Sequence, residues 1–187
     1  RYSPEGKYKP QIGICVYFPE KPEGRRWFHD LAVIPPHLMA RFYDRHQYVG
    51  QLEALAAVAP YLTWPEELRG QDVIHFIDNT GAMHGMRNGY SCDADSARLI
   101  HVFHAAVAAL SCNVWLEYVP SAANIADIPS RLQHGEDLGS LREIGSVVDA
   151  SRRIVVPEIG ADWSDSFHHV FNKLAPRRSK ADSRYVD

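Results

Sequence analysis

The chain has 187 residues, 45% of them hydrophobic and 23% charged, which is an ordinary globular composition and excludes a disordered polypeptide. A formal net charge of −3 excludes nucleic-acid binding that rests on overall charge, so such a partner would need a local basic surface. The three cysteines include no CxxC pair, which excludes a disulfide framework and a cysteine zinc site and indicates reduced thiols.

The same features predict an intracellular protein of the cytoplasm or nucleus. No apolar run reaches membrane-spanning length, so no membrane partner is expected. A secretory signal pattern is also missing. Because the chain does not begin with Met, we expect it to be a piece of a longer polypeptide.

The first predicted elements form an antiparallel hairpin. Residues 11–18 alternate between apolar and other side chains, which is typical of a strand. A turn is predicted at 19–24, which is rich in proline and glycine, and a second strand at 25–34, stopped by two prolines.

An amphipathic helix is predicted next, over about residues 44–62, because apolar residues recur at steps of three and four. Pro60 within this pattern is expected to kink the helix or end it near Ala59. Glu53 lies off the main apolar stripe, on a face otherwise lined by small or apolar residues.

The stretch that follows, from Val73 to Asn79, is central to the prediction. Its near-continuous apolar run is typical of a strand buried on both faces of a sheet. The run ends in Asp78, and ligands of α/β sheets bind at the carboxyl ends of strands. Taken alone, Asp78 could equally cap the turn that follows it.

Helices and strands alternate through the rest of the chain. The predicted elements are a short helix at 82–87 closed by Asn88-Gly89, a long helix from Asp93 or Asp95 to Leu110, a strand at 113–119, a short helix near 125–127 and a helix at 166–174. Residues 177–180 form a basic run, which is either a solvated tail or a nucleic-acid contact. This order predicts an α/β fold in which helices flank a mixed β-sheet.

Three acidic residues stand out by their context: Glu53 in a helix, Asp78 at a strand end and Asp127 after the last strand. Buried carboxylates are costly unless they are paired or bind a cation, and their hard oxygens suit Mg²⁺ or Mn²⁺. Two such ions about 4 Å apart are the usual means of phosphodiester cleavage. Singly, each acid could equally be a surface, turn or cap residue.

Three segments resemble, in order and spacing, the ribonuclease H domain of retrotransposon reverse transcriptases. They are QLEALA at 51–56, FIDNTGA at 76–82 and YVPSAANIADIPSR at 118–131. The resemblance covers roughly residues 11–131. It implies a ribonuclease H-like fold and a two-ion Mg²⁺ or Mn²⁺ site in which Glu53, Asp78 and Asp127 are three of four ligands.

The sequence departs from the family in two respects. The family's first Asp lies on a strand that precedes residues 11–18, and Arg1-Tyr2-Ser3 resembles the residues just after that Asp. The fold is therefore expected to lack its first strand in this chain. The mobile histidine that many cellular ribonucleases H carry before the last Asp is also missing from 119–127, so product release or proton transfer is expected to differ.

Nucleic-acid contacts are predicted at Asn79, Arg87, Asn88 and Arg131, which follow the acidic positions along the chain. Asn79 could equally be a turn residue, and the other three could equally be solvated surface groups. The ten histidines form no zinc-binding motif.

The sequence thus predicts a ribonuclease H-like domain at 1–131 and a C-terminal extension with a basic tail at 132–187. Its expected function is metal-dependent cleavage of the RNA strand of RNA–DNA hybrids, beside the reverse transcriptase domain of the same polyprotein. One alternative is a catalytically inactive structural or nucleic-acid-binding module with the same fold. Another is a different nuclease or a transposase built on that fold.

Overall fold

A computed structural model describes residues 9–127, 146–147, 154–157 and 163–175. The strands are β1 (Gln11–Tyr17), β2 (Trp27–Val33), β3 (Asp72–Ile77), β4 (Asn113–Tyr118) and β5 (Ser146–Val147). The helices are α1 (Pro36–Met39), α2 (Val49–Thr63), α3 (Pro65–Leu68), α4 (Thr80–Asn88), α5 (Ala94–Leu110) and α6 (Trp163–Leu174), with a 3₁₀ turn at Ser121–Ala123. The predicted α/β class is confirmed. Within these ranges, no helix is long and apolar enough to span a membrane.

The strands form two sheets, whereas the sequence predicted one mixed sheet. The first has the order β1-β2-β5, with β1 and β2 antiparallel as predicted and β5 parallel to β2. The second is a parallel ribbon of β3 and β4, paired from Asp72 opposite Asn113 to Ile77 opposite Tyr118. The prediction of a single sheet is wrong for this part of the chain, because no described strand joins β1 to β3. Helix α2 packs against both of these strands.

Helix α2 differs from its prediction at both ends. It begins at Val49 rather than near residue 44, because the preceding loop is held elsewhere: the backbone N of Tyr43 donates to Asp95 Oδ2 at 2.8 Å. It also continues past Pro60, so an end near Ala59 is wrong. The carbonyl of Pro60 accepts from Trp64 N at 2.9 Å, which completes the last turn beyond the proline.

Local sequence signals correctly predict the C-terminus of α4 and the N-terminus of α5. Gly89 follows α4 with φ 77°, the left-handed conformation typical of a helix C-terminus. Asp93 caps α5 by accepting a hydrogen bond from Ser96 N at 2.8 Å. The two predicted helices are therefore confirmed, and together they carry the chain from β3 to β4.

The core lies between the helices and one face of each sheet. Tyr61 of α2 meets Phe103 of α5 edge to face, with ring centroids 5.4 Å apart. The predicted C-terminal helix is confirmed as α6, which packs on α5 through the buried side chains of Val170 and Leu174. Arg69 fixes the end of α6, since its Nη2 donates to Leu174 O at 3.0 Å.

Strand β3 is not buried on both faces, contrary to the prediction. Ile74 and Phe76 are 66% and 58% exposed, and Trp115 of β4 is 64% exposed. The reason is that α2 and α4 cover one face of the ribbon, while alternate side chains of each strand point to the other. His75 faces the covered side, where its ring stacks on Tyr61 at 5.9 Å.

Candidate carboxylate site

Asp78 lies directly after β3, at the carboxyl end of the ribbon. Pairing of the two strands extends to this point, because Val119 N donates to Ile77 O at 3.1 Å. The cap of the following helix is Asn79, whose Oδ1 accepts from Ala82 N at 2.9 Å. Asn79 is therefore the residue that caps α4. The carboxylate of Asp78 does not cap this helix, and it is half-buried.

The environment of Asp78 includes Glu53, which projects from α2 and is half-buried. Burial is the main cause that raises the pKa of Glu53 from 4.5 to about 7, and the charges of Asp78 and Asp127 raise it further. A hydrogen bond between the side chains of Glu53 and Asp78 acts in the same direction. A hydrogen bond between two carboxyl groups requires a proton, and Glu53, with a pKa of about 7, carries one about half of the time at neutral pH.

Asp127 completes the group from the segment after β4. Its Oδ1 accepts from Asn124 Nδ2 at 3.0 Å, and its backbone N donates to Asn124 O at 3.1 Å. Asn124 also accepts from Ala126 N through Oδ1 at 3.1 Å, so it holds the whole turn. The predicted short helix near 125–127 is confirmed only at its last residue: Ser121–Ala123 form a 3₁₀ turn, residues 125–126 form a further turn, and Asp127 is helical.

The structure thus brings the three predicted acids together from separate elements. In this arrangement burial of Glu53, the charges of Asp78 and Asp127 and a hydrogen bond to Asp78 all raise the pKa of Glu53. Among the described residues, no three His, Cys, Asp or Glu side chains are arranged as a ready-made metal site. The donor set fits Mg²⁺ or Mn²⁺ chemically, because these ions bind carboxylate oxygens and would relieve the repulsion among the acids.

The helix that carries Glu53 is held by a polar network that the sequence patterns did not indicate. Gln51 Nε2 donates to Asp93 Oδ1 at 2.9 Å and to Ser96 Oγ at 3.1 Å, which ties the start of α2 to the start of α5. Arg45 Nη1 donates to Asp93 Oδ2 at 2.6 Å. Gln51 lies two positions before Glu53 in the QLEALA segment, and this proximity is the sequence feature that could have identified Gln51 as a residue that supports the site.

The same network continues to a fully buried carboxylate, Asp95. Arg45 Nη2 forms a close hydrogen bond to Asp95 Oδ2, and Arg98 Nη1 lies 3.5 Å from Asp95 Oδ1. Two arginines therefore compensate one buried charge, as a desolvated carboxylate requires. The acidic residues at the start of α5, Asp93 and Asp95, therefore stabilise the fold through their arginine partners. Neither of them belongs to the group formed by Glu53, Asp78 and Asp127.

Three of the four predicted nucleic-acid contacts lie among the described residues. Asn79 is committed to capping α4. Arg87 and Asn88 are exposed in the last turn of α4, about 10 Å along the helix axis from its start. The positive charge of Arg87 acts on Glu117 of β4. Arg131 lies outside the described residues, as do the predicted domain boundary at 131 and the basic run at 177–180.

Comparison with known proteins gives no relative for this chain. No protein-family model, curated protein or solved structure matches it. The three carboxylates and their positions on the fold therefore carry the functional inference.

Proposed function

We propose that this chain is a ribonuclease H-like domain that cleaves the RNA strand of RNA–DNA hybrids within a retroelement reverse transcriptase polyprotein. One observation carries the proposal: Glu53, Asp78 and Asp127 come from separate elements, and the charges of Asp78 and Asp127 both act on Glu53. Each of the three segments that resemble the family supplies one of these acids.

Glu53, Asp78 and Asp127 would hold Mg²⁺ or Mn²⁺. When bound, such ions favour ionisation of the attacking water and stabilise the leaving 3′ oxygen. In the metal-free chain Glu53 has a pKa of about 7, and a bound cation would displace its proton, so that all three carboxylates could act as ligands. Asn124 fixes the carboxylate of Asp127 by donating to it.

The strand edges support the same proposal. Within the described residues, β1 pairs only with β2, and β3 pairs only with β4. Both strands lie against α2, so one further strand between them would join the two sheets. If that strand ran parallel to β3, its carboxyl end would lie beside Asp78, where the family carries its first Asp.

A second function is favoured by the number of acids at the site. Among the residues that the structure describes, Asp78 and Asp127 are the two whose charges raise the pKa of Glu53, which makes three carboxylates rather than four. A domain with an incomplete site would serve as a catalytically inactive module that binds hybrid or supports the neighbouring reverse transcriptase domain. Binding or support by such a module requires the fold and its surface, but it does not require the interaction between Glu53 and Asp78.

Cleavage of a labelled RNA–DNA hybrid with Mg²⁺ or Mn²⁺ separates the two functions. We would compare this chain with a version extended at its amino end by an apolar strand that carries one Asp. The nuclease proposal predicts cleavage of the RNA strand but not the DNA strand, with more activity in the extended version. Asp78→Asn should lower the rate by about 100-fold or more, because charge stabilisation at a reacting centre is worth that much.

Asp72→Asn is the matched control, since Asp72 is exposed at the opposite end of β3. Its cleavage rate should equal that of the unaltered chain. Cleavage that survives Asp78→Asn would remove Asp78 from the site. A lack of cleavage in both versions would support the inactive module.

A further inference from the structure

The β3–β4 ribbon has an outer face that no described element covers. Side chains on this face come from alternate positions, and the register places Ile74 opposite Trp115 and Phe76 opposite Glu117. Ile74, Phe76 and Trp115 are 66%, 58% and 64% exposed. Three large apolar side chains therefore lie side by side in solvent.

An open face is unusual for strands that pair in this way. β3 and β4 are parallel, and parallel sheets occur almost only with both faces covered. The inner face of the ribbon already packs against α2 and α4. A second helical layer on the outer face would give the usual three-layer arrangement of such sheets.

The two ends of the outer face are acidic. At one end, Asn113 Nδ2 donates to Asp72 Oδ1 at 2.8 Å. At the other end, Trp115 Nε1 donates to Glu117 Oε2 at 3.1 Å, and this hydrogen bond is the main cause that lowers the pKa of Glu117. Both carboxylates are exposed, and the apolar side chains lie between them.

We propose that this outer face, formed by Asp72, Ile74, Phe76, Asn113, Trp115 and Glu117, docks an amphipathic helix of a partner protein with Lys or Arg at both of its ends. The apolar stripe of the helix covers Ile74, Phe76 and Trp115. Its terminal basic side chains pair with Asp72 and Glu117. This surface lies outside the carboxylate site, and the proposal holds whether or not the chain is a nuclease.

The dimensions and charges of the face favour this occupant over two others. A ribbon of two strands is about as wide as one α-helix, roughly 10 Å with side chains. A nucleic acid is disfavoured, because Asp72 and Glu117 repel phosphates. A second copy of the same face would bring acidic ends against acidic ends, which also opposes association.

Fluorescence anisotropy with two labelled 15-residue helical peptides tests the proposal. In both peptides the central residues place leucines on one face of the helix. The first peptide has two lysines at each end, and the second, its twin, has two glutamates at each end. At low salt, the lysine peptide should bind at least tenfold more tightly than the glutamate twin. Phe76→Thr should weaken this binding at least tenfold, and Asp72→Asn with Glu117→Gln should remove the preference between the twins.

Tyr90→Thr is the matched control, because Tyr90 is 64% exposed on the loop after α4 and belongs to neither strand of the ribbon, so it should leave the affinity unchanged. Far-UV circular dichroism checks the fold of each variant, and the two amide substitutions test the charges without touching the apolar side chains. Equal affinity for the twins, or binding of neither, would overturn the proposal. Self-association that Phe76→Thr abolishes would identify a second copy as the occupant instead, and hybrid binding lost in that variant would identify a nucleic acid.

Discussion

A carboxyl group beside two others keeps its proton near neutral pH, because losing it adds a third negative charge to a confined space. Glu53 is in this position, with burial as the larger cause and the charges of Asp78 and Asp127 as the next. The proton on Glu53 therefore lowers the electrostatic repulsion within the folded state. Any change that removes this proton without supplying a cation costs stability.

We expect the free energy of unfolding to fall as the pH rises from about 5 to about 8. The pKa of Glu53 is about 7 in the folded chain and near its ordinary 4.5 when unfolded, so the folded state binds the proton more tightly. This stabilisation is complete below 4.5 and is lost as the pH rises through 7; its upper limit is about 3 kcal/mol. Urea denaturation at several pH values measures it.

Glu53→Gln should flatten this pH dependence, because the amide does not ionise. Glu66→Gln on the exposed surface of α3 is the matched control and should leave the dependence unchanged. Addition of Mg²⁺ at pH 8 should stabilise the unaltered chain and not Glu53→Gln. An unchanged pH profile in Glu53→Gln would assign the dependence to another group.

Asp95 is a fully buried carboxylate, and removing an arginine partner lowers the stability of the folded state because its charge is then less well compensated. Arg45→Ala removes its closest partner and leaves Arg98, whose Nη1 is 3.5 Å away. We expect the free energy of unfolding to fall by about 3 kcal/mol, the lower part of the range for breaking a buried ion pair. Thermal or urea denaturation checks this value.

Arg41→Ala removes an exposed arginine of the same loop and should change stability by less than about 0.5 kcal/mol. An equally small effect of Arg45→Ala would show that Arg98 alone compensates Asp95.

Among the elements, the ends of α4 and α2 give a matched pair of glycine substitutions. Gly89 has φ 77°, where a Cβ is strained, so Gly89→Ala should lower stability by about 1 kcal/mol. Gly50 lies within α2, and a Cβ at this position would meet no atom within 4 Å, so Gly50→Ala should raise stability by up to about 1 kcal/mol. Opposite signs in thermal denaturation are the expected result.

Local signals were sufficient to predict the elements whose ends depend on neighbouring residues. Asp93 and Gly89 mark helix ends by chemistry that operates within one turn, and the β1–β2 hairpin closes over a short proline- and glycine-rich link. The start of α2 was predicted too early, because residues 43–45 are held by Asp95, about 50 positions later in the chain. Such a contact leaves no periodic signal in the sequence.

The same distinction applies to the site. The three acids could be selected from their segments, but the support from Asn124 and the arginine network depends on tertiary contacts. The exposure of Ile74 and Phe76 was missed for a related reason: their apolar character predicts burial, whereas the number of helical layers over the ribbon decides it. Hydropathy indicates that an apolar side chain favours burial, but it does not indicate whether the fold supplies an element that covers it.

For the molecule as a whole, α6 is an integral part of the helical layer. Leu174 is buried against α5, and its carbonyl accepts a hydrogen bond from Arg69 at 3.0 Å. Leu174→Ala should cost about 2–4 kcal/mol, because it leaves a cavity between two packed helices. Asn172→Ala on the exposed side of α6 is the control and should be close to neutral in urea denaturation. A neutral Leu174→Ala would show that α6 is dispensable for the core.

The position of α2 across both sheets has a consequence for the order of folding. The β1–β2 hairpin forms from near neighbours, whereas the β3–β4 pair must wait for the long connection through α4 and α5. Glu53 and Asp78 therefore meet only when α2 has docked on the β3–β4 ribbon. If that docking follows the rate-limiting barrier, their repulsion will act on the unfolding rate alone. Raising the pH from 5 to 8 should then accelerate unfolding and leave refolding unchanged, which stopped-flow measurements can resolve.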